Sequence, residues 1–391
     1  MPNVTRLLLV LAGINFAASL FVRMADPIVP SVALDFAVDV DTAALLGTAF
    51  ALPFALMQPI LGPVGDLLGK TRVITACVGV LGLSAVASAL AANFPMLLAS
   101  RILAGMAGAG IFPVAMALLG DKVPMQARQV AISRVLIGSI SGLLVGAAAS
   151  GLLADFTGWR GVFVAAGCVM IGAFTGTVFG LRDVVSPRAE RIDFAAAFAN
   201  YRQVFSNPRA KVCYGAVFAE GAVLFGIFPY VAYLLGLTGE PRAGIAGLVI
   251  GGFAIGGLLY SAAIKRLLAL LGSGRIMILG GAVAGVSLVV EAMLPPWPVQ
   301  LVAMVAMGFG FFLLHASIQV QMTELAPTAR GTAVSMHAFS YFMGQALGPV
   351  VYSVGFAIAG PSPTLVAAGG AMVLIGFVVA RLLHGPASKE A

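Results

Sequence analysis

Long apolar runs, each about as long as a bilayer is thick, dominate this 391-residue sequence. A helix rises about 1.5 Å per residue, so about 20 apolar residues cross the hydrocarbon layer. Only 9% of the residues are charged, whereas a soluble domain carries roughly 25% charged residues. So little charge cannot cover a water-exposed surface of this size. The runs are also unbroken rather than alternating, which argues against a membrane β-barrel. The sequence therefore predicts an all-α membrane protein.

The apolar runs predict twelve transmembrane helices in two bundles of six. We place the spans at 7–33, 42–64, 72–92, 95–119, 130–152, 159–182, 210–236, 243–263, 275–293, 297–322, 331–356 and 362–384. A polar linker, 183–209, separates an N-terminal bundle (1–182) from a C-terminal bundle (210–391). Aromatic residues recur in the linker at helical spacing, which predicts a short amphipathic helix on the inner membrane face: Phe194, Phe198, Tyr201 and Phe205.

The distribution of basic residues predicts the orientation. Of the 22 lysines and arginines, all but four fall in or beside the loops that share a side with the two termini; the four are Arg23, Arg101, Arg160 and Arg242. Basic loops remain in the cytoplasm, so both termini are expected there. The first apolar run continues too far, and lacks the small-residue cleavage site, to be a removable signal peptide. We therefore expect a multi-pass protein of the cell inner (plasma) membrane.

The two halves repeat one another at an offset of 202 or 203 residues. The matched pairs are Gly69 with Gly272, Arg72 with Arg275, Pro124 with Pro327, Pro27 with Pro229, Gly142 with Gly344, and Gly146 with Gly348. Duplicated six-span halves are a common architecture of secondary transporters, in which the substrate binds near the midplane.

Two oppositely charged residues, Arg23 and Asp26, lie one helical turn apart in the first span. One interpretation is an ion pair near the outer interface. The other is a site for a proton or a cationic substrate, with Arg23 controlling the charge of Asp26. Pro27 and Pro30 follow at once and should break the helix, which frees backbone carbonyls.

Ionisable side chains in three further spans are candidates for function. Arg101 cannot shed its proton and needs a partner from another helix, for which Asp26 is the first candidate. Glu220 stands alone in the seventh span. It is either a neutral acid hydrogen-bonded to a neighbour or a group that exchanges a proton. His315 and Gln319 are four residues apart, so they share one helix face.

Other polar and aromatic residues in the spans are more typical of packing. Single polar side chains in lipid usually join helices, and here they are Asn15, Gln58, His337 and Gln345. An aromatic cluster in the seventh span could pack or line an apolar cavity: Phe225, Phe228, Tyr230 and Tyr233.

We find no phosphate-binding loop, no metal-ligand spacing and no nucleophile–base pair. We therefore expect no enzyme activity, no cofactor, no metal and no nucleic-acid partner. The expected partners are protons, a small-molecule substrate and the lipid bilayer, and the expected state is a monomer. Without an ATP motor, active transport must use an ion gradient.

A glycine-rich charged stretch joins the second and third spans. It is either a short charged turn or a conformational latch, in which Asp66 pairs with a base or a helix end of the neighbouring bundle. The residues of the latch are Gly62, Gly65, Asp66, Gly69, Lys70 and Arg72.

These motifs resemble those of the major facilitator superfamily over nearly the whole chain. The stretch from Gly62 to Arg72 looks like the family signature between helices 2 and 3, and Arg101–Gly110 looks like its helix 4 motif. Asp26, in Asp-Pro-Ile-Val-Pro, is similar to the acidic helix 1 motif of the drug:proton antiporter branch.

The resemblance implies functions for two residues. Asp66 would hold the outward-facing state, and Arg101 would take part in proton coupling. The sequence departs from the antiporter pattern at Leu143, where that branch usually has proline; Gly348-Pro349 occurs instead in the repeat-related span. We expect proton-coupled export of small amphipathic molecules. The alternatives are a proton-coupled importer of a sugar, nucleoside or organic ion, and a membrane receptor or scaffold without transport.

Overall fold

The computed structural model describes residues 4–184, 194–323, 325 and 329–384. It describes their side chains apart from those of 4, 62, 63, 66, 125–130, 133, 194–197, 323, 330, 331 and 384. Every regular element in these ranges is helical. The helices are α1 (Val4–Arg23), α2 (Val29–Asp35), α3 (Val40–Leu68), α4 (Lys70–Ala89), α5 (Phe94–Lys122), α6 (Met125–Gly180), α7 (Phe194–Ser206), α8 (Arg209–Phe225), α9 (Val231–Leu237), α10 (Ala243–Ala292), α11 (Trp297–Thr323), α12 (Arg330–Ala359) and α13 (Pro361–His384).

The twelve predicted spans correspond to ten long apolar stretches of helix in the described residues. Two helices account for the difference, since α6 has 56 residues and α10 has 50, enough for two crossings each at about 1.5 Å per residue. Each is interrupted by one glycine with non-helical backbone angles: Gly158 (φ 69°) in α6 and Gly272 (φ 73°) in α10. The predicted all-α membrane fold is confirmed.

The turn between the second and third spans is shorter than the glycine-rich sequence suggests. Helix α3 continues to Leu68 instead of ending near residue 64, and α4 begins at Lys70. Only Gly69 leaves the helical conformation, at φ 95°, where a side chain would be strained. Gly65 stays helical, and a Cβ there would lie 3.2 Å from Val114 of α5. This glycine therefore serves helix packing, not the turn.

Proline breaks the first and seventh spans at matching positions. A 3-10 turn at Asp26–Ile28 separates α1 from α2, and another at Phe228–Tyr230 separates α8 from α9. Each turn has its proline, Pro27 or Pro229, in second place, because proline cannot donate the hydrogen bond that would continue the helix. The break predicted for the first span is thus observed, and the repeat-related span has it too.

The chain divides into two compact units, unit 1 (Met1–Asp193) and unit 2 (Phe194–Ala391). In unit 1 the main packing partners are α1 with α6, and α5 with both α3 and α4. In unit 2 they are α10 with α11 and α13, and α8 with α12.

The sequence repeat reappears as repeated glycine contacts. In unit 1, a Cβ on Gly142 of α6 would collide with the carbonyl oxygen of Phe16 in α1. In unit 2, Gly344 of α12 meets the carbonyl oxygen of Phe218 in α8 in the same way. Both members of the contact are displaced by the same 202 positions. Such close backbone approach is the means by which helices pack in lipid.

The linker helix is present as α7. Val204 is buried, whereas Phe198 and Phe205 are 72% and 48% exposed. Exposed aromatic side chains on a short helix suit a membrane surface, and that location stays a prediction. Residues 185–193 of the predicted linker lie outside the described residues.

We predict opposite effects for two glycine substitutions in α8. In Gly221→Ala the new Cβ would lie 2.5 Å from the carbonyl oxygen of Tyr341, so overpacking should cost about 1–3 kcal/mol. In Gly215→Ala no atom lies within 4 Å of the new Cβ, and a helix gains up to about 1 kcal/mol from alanine over glycine. Thermal unfolding of the purified protein should show a lower midpoint for Gly221→Ala only. Equal midpoints would contradict the close α8–α12 packing.

Candidate functional site

Unit 1 buries an ion pair where α1 ends. Arg23 is the last residue of α1, and Asp26 opens the 3-10 turn that follows. Their Nη1 and Oδ2 atoms are 3.5 Å apart, and both residues are buried. Residues three positions apart lie on the same side of a helical turn, so the two side chains meet just before Pro27. The predicted pairing of Arg23 with Asp26 is therefore present.

Arg101 of α5 is buried at 1% exposure in the same unit. Its Nη2 donates a hydrogen bond to the carbonyl oxygen of Phe21, 3.1 Å away, and its guanidinium lies 4.6 Å from the ring centre of Phe50. The Phe21 carbonyl is in the last turn of α1, where backbone oxygens lack helical partners. Arg101 thus hydrogen-bonds this carbonyl and not Asp26, the predicted partner, although the Asp26 carboxylate still attracts it electrostatically.

Two basic side chains, Arg23 and Arg101, lie near the single acidic side chain of Asp26. Arg23 and Arg101 stand against the one carboxylate of Asp26, and the Nε and Nη1 atoms of Arg101 are buried without a hydrogen-bond partner in the described residues. A guanidinium in an apolar interior is costly unless its donors are used. Free donors in such a place are typical of a site whose hydrogen bonding changes during function.

Unit 2 contains a hydrogen-bonded row of three ionisable side chains. Oε2 of Glu220 (α8) lies 2.7 Å from Nδ1 of His315 (α11). Nε2 of His315 lies 3.1 Å from Nε2 of His337 (α12). Glu220 has no exposed surface, and His337 is 4% exposed. The two atoms at the ends of the row, Oε1 of Glu220 and Nδ1 of His337, are buried without a hydrogen-bond partner in the described part of the chain.

Close packing of α8 against α12 positions this row. Gly221 follows Glu220 directly and lies against the backbone of Tyr341, one turn beyond His337. Gly344, on the next turn of α12, lies against the carbonyl oxygen of Phe218. Without side chains at these two glycines the helix backbones nearly touch, and the polar side chains beside them come within hydrogen-bonding distance.

Aromatic rings surround the row. Phe311 stacks on His315 at 4.6 Å between ring centres, and Tyr341 approaches the same imidazole at 5.0 Å. Phe225 packs against Phe311 at 5.2 Å and stacks on Phe228 at 5.0 Å. Of the two interpretations of the aromatic residues in the seventh span, the structure supports packing. Their effect on the row is to keep water away, which strengthens its electrostatic interactions.

Two predictions about this site need correction, one for Gln319 and one for His337. Gln319 is exposed on α11 and does not join the buried row, although it is one turn from His315. His337, which the sequence suggested was a packing residue, is part of the row. The chain has only three histidines; His384 is the last residue of the final span, whereas His315 and His337 lie well inside predicted spans. That scarcity was the signal that could have paired them.

The glycine-rich stretch holds a different ion pair from the one predicted. Nζ of Lys70, at the start of α4, lies 2.6 Å from Oδ2 of Asp121 near the end of α5. Lys70 is buried and Arg72 is exposed. The surroundings of Gly62 and the side chain of Asp66 are not among the described features, so the pairing of Asp66 stays a prediction. Asp121 was missed, although Asp121-Lys122 is a charged dipeptide at the end of an apolar run.

Comparison with known proteins identifies the family. The family model described as Major Facilitator Superfamily matches residues 11–349. The chain belongs to the major facilitator superfamily. It is therefore a membrane transporter and not an enzyme, as the absence of any catalytic constellation in the sequence predicted.

Relatives in the superfamily are distant in sequence. "Uncharacterized MFS-type transporter YfiU" of Bacillus subtilis is 26% identical over 380 residues, which cover 80% of this chain and 72% of the relative. "Multidrug resistance protein MdtG" of Yersinia enterocolitica is 31% identical over 164 residues, 41% of this chain and 38% of the relative. "Multi-drug resistance efflux pump PmrA homolog" of Lactococcus lactis is 25% identical over 326 residues, covering 80% and 78%.

Solved structures share the fold at lower identity. The nucleoside transporter NupG has a TM-score of 0.76 at 14% identity, with 97% of this chain and 99% of that chain covered. A bacterial homologue of the human lysosomal transporter Spinster has a TM-score of 0.72 at 20% identity, with 100% and 98% covered. The superfamily fold therefore extends over the whole chain.

We predict that Lys70 and Asp121 are energetically coupled. Asp121→Asn should destabilise the protein by about 1–3 kcal/mol, because it leaves the buried Lys70 ammonium without its carboxylate. Lys70→Met should cost less, roughly 0–1 kcal/mol, because water can still solvate the exposed Asp121. The double variant should recover part of the loss, since two neutral side chains need no ion partner. Thermal unfolding midpoints of the four proteins form a double-mutant cycle. Strictly additive losses would show that the ion pair contributes nothing.

Proposed function

We propose that this protein is a proton-coupled secondary transporter that exports small amphipathic molecules in exchange for protons. It would act by alternating access in the cell inner membrane, with both termini in the cytoplasm. The observation that carries the proposal is Glu220, a carboxyl group without exposed surface, hydrogen-bonded at 2.7 Å to His315 in a superfamily bundle.

The surroundings of Glu220 favour proton exchange as its function. A carboxylate in an apolar interior without a cation is unstable, and the simplest way to remove the charge is to bind a proton. In the described residues Glu220 has an imidazole as its partner, not an arginine or a lysine. An imidazole can give or take a proton where a guanidinium cannot. The driving proton is therefore assigned to Glu220 with His315.

Unit 1 supplies a second acid. Burial disfavours the charged form of Asp26, whereas Arg23 and Arg101 attract its carboxylate, so the opposing effects would let Asp26 alternate between binding and releasing a proton or a cation. We assign Asp26 to coupling or substrate binding, with Arg23 and Arg101 controlling its charge. The latch formed by Gly62, Gly65, Asp66, Gly69, Lys70 and Arg72 would hold one conformation. We add Asp121 to it, because the Lys70–Asp121 pair fixes α4 to α5.

The direction of transport is proposed from the relatives. Two of them carry names of multidrug resistance and efflux, and the acidic motif around Asp26 resembles the antiporter branch. The proline that the antiporter branch usually has is absent at Leu143. A proline occurs instead in the repeat-related helix α12, where the carbonyl oxygen of Pro349 accepts a hydrogen bond from Tyr230. This departure leaves import of a small metabolite as the alternative, with the same proton-binding residues.

A vesicle experiment separates these functions. Purified protein in liposomes is given a proton gradient of either direction, and the flux of a fluorescent amphipathic cation such as ethidium is followed together with internal pH. Antiport predicts that dye and protons move in opposite directions. Movement in the same direction would identify an importer, and a panel of dyes, sugars and nucleosides without substrate-linked proton movement would identify a receptor or scaffold.

We predict that Glu220→Gln and Asp26→Asn flatten the pH dependence of transport. Each amide keeps the size of the acid but cannot exchange a proton. Glu240→Gln is the matched control, because Glu240 lies outside the spans and hydrogen bonds from Arg242 hold the pKa of its carboxyl below the usual range. Glu240 also takes no part in the two buried acidic sites, so Glu240→Gln should transport like the wild type. An unchanged pH profile in both buried variants would exclude both acids as proton carriers.

A further inference from the structure

We propose that Glu220, His315 and His337 form a three-member relay that holds one exchangeable proton, with His337 as a functional member. The inference rests on the proposed function, since it specifies the group that binds the driving proton. It adds a residue, an order of proton transfers and a fixed proton count to that function.

Hydrogen bonds join the three side chains in one order, and one atom at each end of the row has no hydrogen-bond partner in the described residues. His315 uses both ring nitrogens, Nδ1 toward Glu220 at 2.7 Å and Nε2 toward His337 at 3.1 Å. An imidazole bonded on both sides must receive a proton at one nitrogen as it gives one at the other. The two free atoms, Oε1 of Glu220 and Nδ1 of His337, are the two ends of the row. Three polar groups that served only to join helices would have no reason to be arranged end to end.

Two arrangements of protons satisfy every hydrogen bond in the row. In the first, Glu220 is a carboxylate, His315 carries its proton on Nδ1, and His337 carries its proton on Nε2. In the second, Glu220 is protonated on Oε2, His315 carries its proton on Nε2, and His337 carries its proton on Nδ1. The second arrangement contains one proton more, and it removes the negative charge of the row.

The two arrangements interconvert by three proton movements. When alternating access opens the His337 end of the row to water, a hydronium ion gives a proton to Nδ1 of His337 and leaves as water, and the proton on Nε2 of His337 passes to Nε2 of His315. The proton on Nδ1 of His315 then passes to Oε2 of Glu220. Each imidazole ends neutral with its proton on the other nitrogen, and these transfers within the row need no movement of its heavy atoms. Reversal of the same steps releases the proton at His337.

Other groups around the row do not supply a competing charge. Tyr341 of α12 is the further titratable side chain that contacts His315. The helices α10 and α13 also pack in this unit. Helix α7 contacts α8 and α12. Within the described part of the chain, the charged or titratable side chains of α7, α10 and α13 make no hydrogen bond or ion pair with the three residues; these are Tyr201, Arg202, Tyr260, Lys265, Arg266, Arg275, Glu291 and Arg381. The row can therefore change its charge by gaining or losing a proton.

Infrared difference spectroscopy of the purified protein tests the relay without any substrate. Spectra are recorded on going from alkaline to acidic pH with ring-labelled histidine, in a His384→Gln background that leaves only His315 and His337. The relay predicts that the carboxyl band of Glu220, identified by its loss in Glu220→Gln, appears together with tautomer changes of two histidines. A carboxyl band that appears without histidine tautomer changes would overturn the proposal, and so would the formation of stable imidazolium.

The variant His337→Gln tests the new residue. Glutamine can still hydrogen-bond to Nε2 of His315, but it has no second nitrogen that could pass a proton on. We expect the bands of Glu220 to respond to a pH jump at least about a hundredfold more slowly, the lower range for loss of a positioned proton-transfer group. His384→Gln alone is the control and should respond at the wild-type rate. A wild-type rate in His337→Gln would remove His337 from the relay.

The outcomes distinguish this inference from the proposed function. Coupled infrared changes without any substrate-linked proton flux would keep the relay and remove proton-coupled transport. Substrate-linked proton flux that His337→Gln leaves unchanged would keep proton-coupled transport and remove the relay. The spectra of the His384→Gln protein, which retains all three members of the relay, decide the question even if His337→Gln does not fold.

Discussion

The cost of placing a charge where neither water nor headgroups reach it controls this structure. A chain solvated by lipid leaves most surfaces to apolar side chains, and its helices bind one another by close packing at glycine. Ionisable residues in such an interior are therefore placed beside polar partners as a rule. The protein does this at Asp26 with Arg23 and Arg101, at the buried Lys70 with the exposed Asp121, and at Glu220 with two histidines. The first two sets pair opposite charges, whereas the third relies on groups that can exchange a proton. Glu291 of α10 departs from the rule, since it is buried and its Oε1 has no hydrogen-bond partner in the described residues.

The internal repeat shows how a duplicated backbone acquired two different interiors. The proline turns at Asp26–Ile28 and Phe228–Tyr230 match in position and form, and the glycine contacts of the two units match as well. The side chains do not match. Arg23 and Asp26 of unit 1 correspond, 202 positions on, to Phe225 and Phe228 of unit 2, which stack on one another. The two units therefore share a backbone arrangement but bury different side chains at corresponding positions.

Sequence reasoning predicted the features that depend on local composition. Apolar run length placed the spans, and the helix break at Pro27 and the pairing of Arg23 with Asp26 depend on residues close in the chain. Contacts between helices that are distant in the chain were harder to predict from the sequence. The partner of Arg101 proved to be a backbone carbonyl, which carries no side-chain signal. Asp121 and His337 were missed because their partners are 51 and 22 positions away and no periodicity links them. The length of α3 was underestimated because glycine can serve packing as well as turning.

The account depends most on Glu220 as the group that gains and loses a proton during transport. The direct measurement is proton release from purified protein in weakly buffered detergent, followed with a pH indicator, when a transported compound is added. We expect the wild type to release a proton on binding and Glu220→Gln to bind the compound without release. Equal release from both proteins would contradict the account, because the proton would then come from another group.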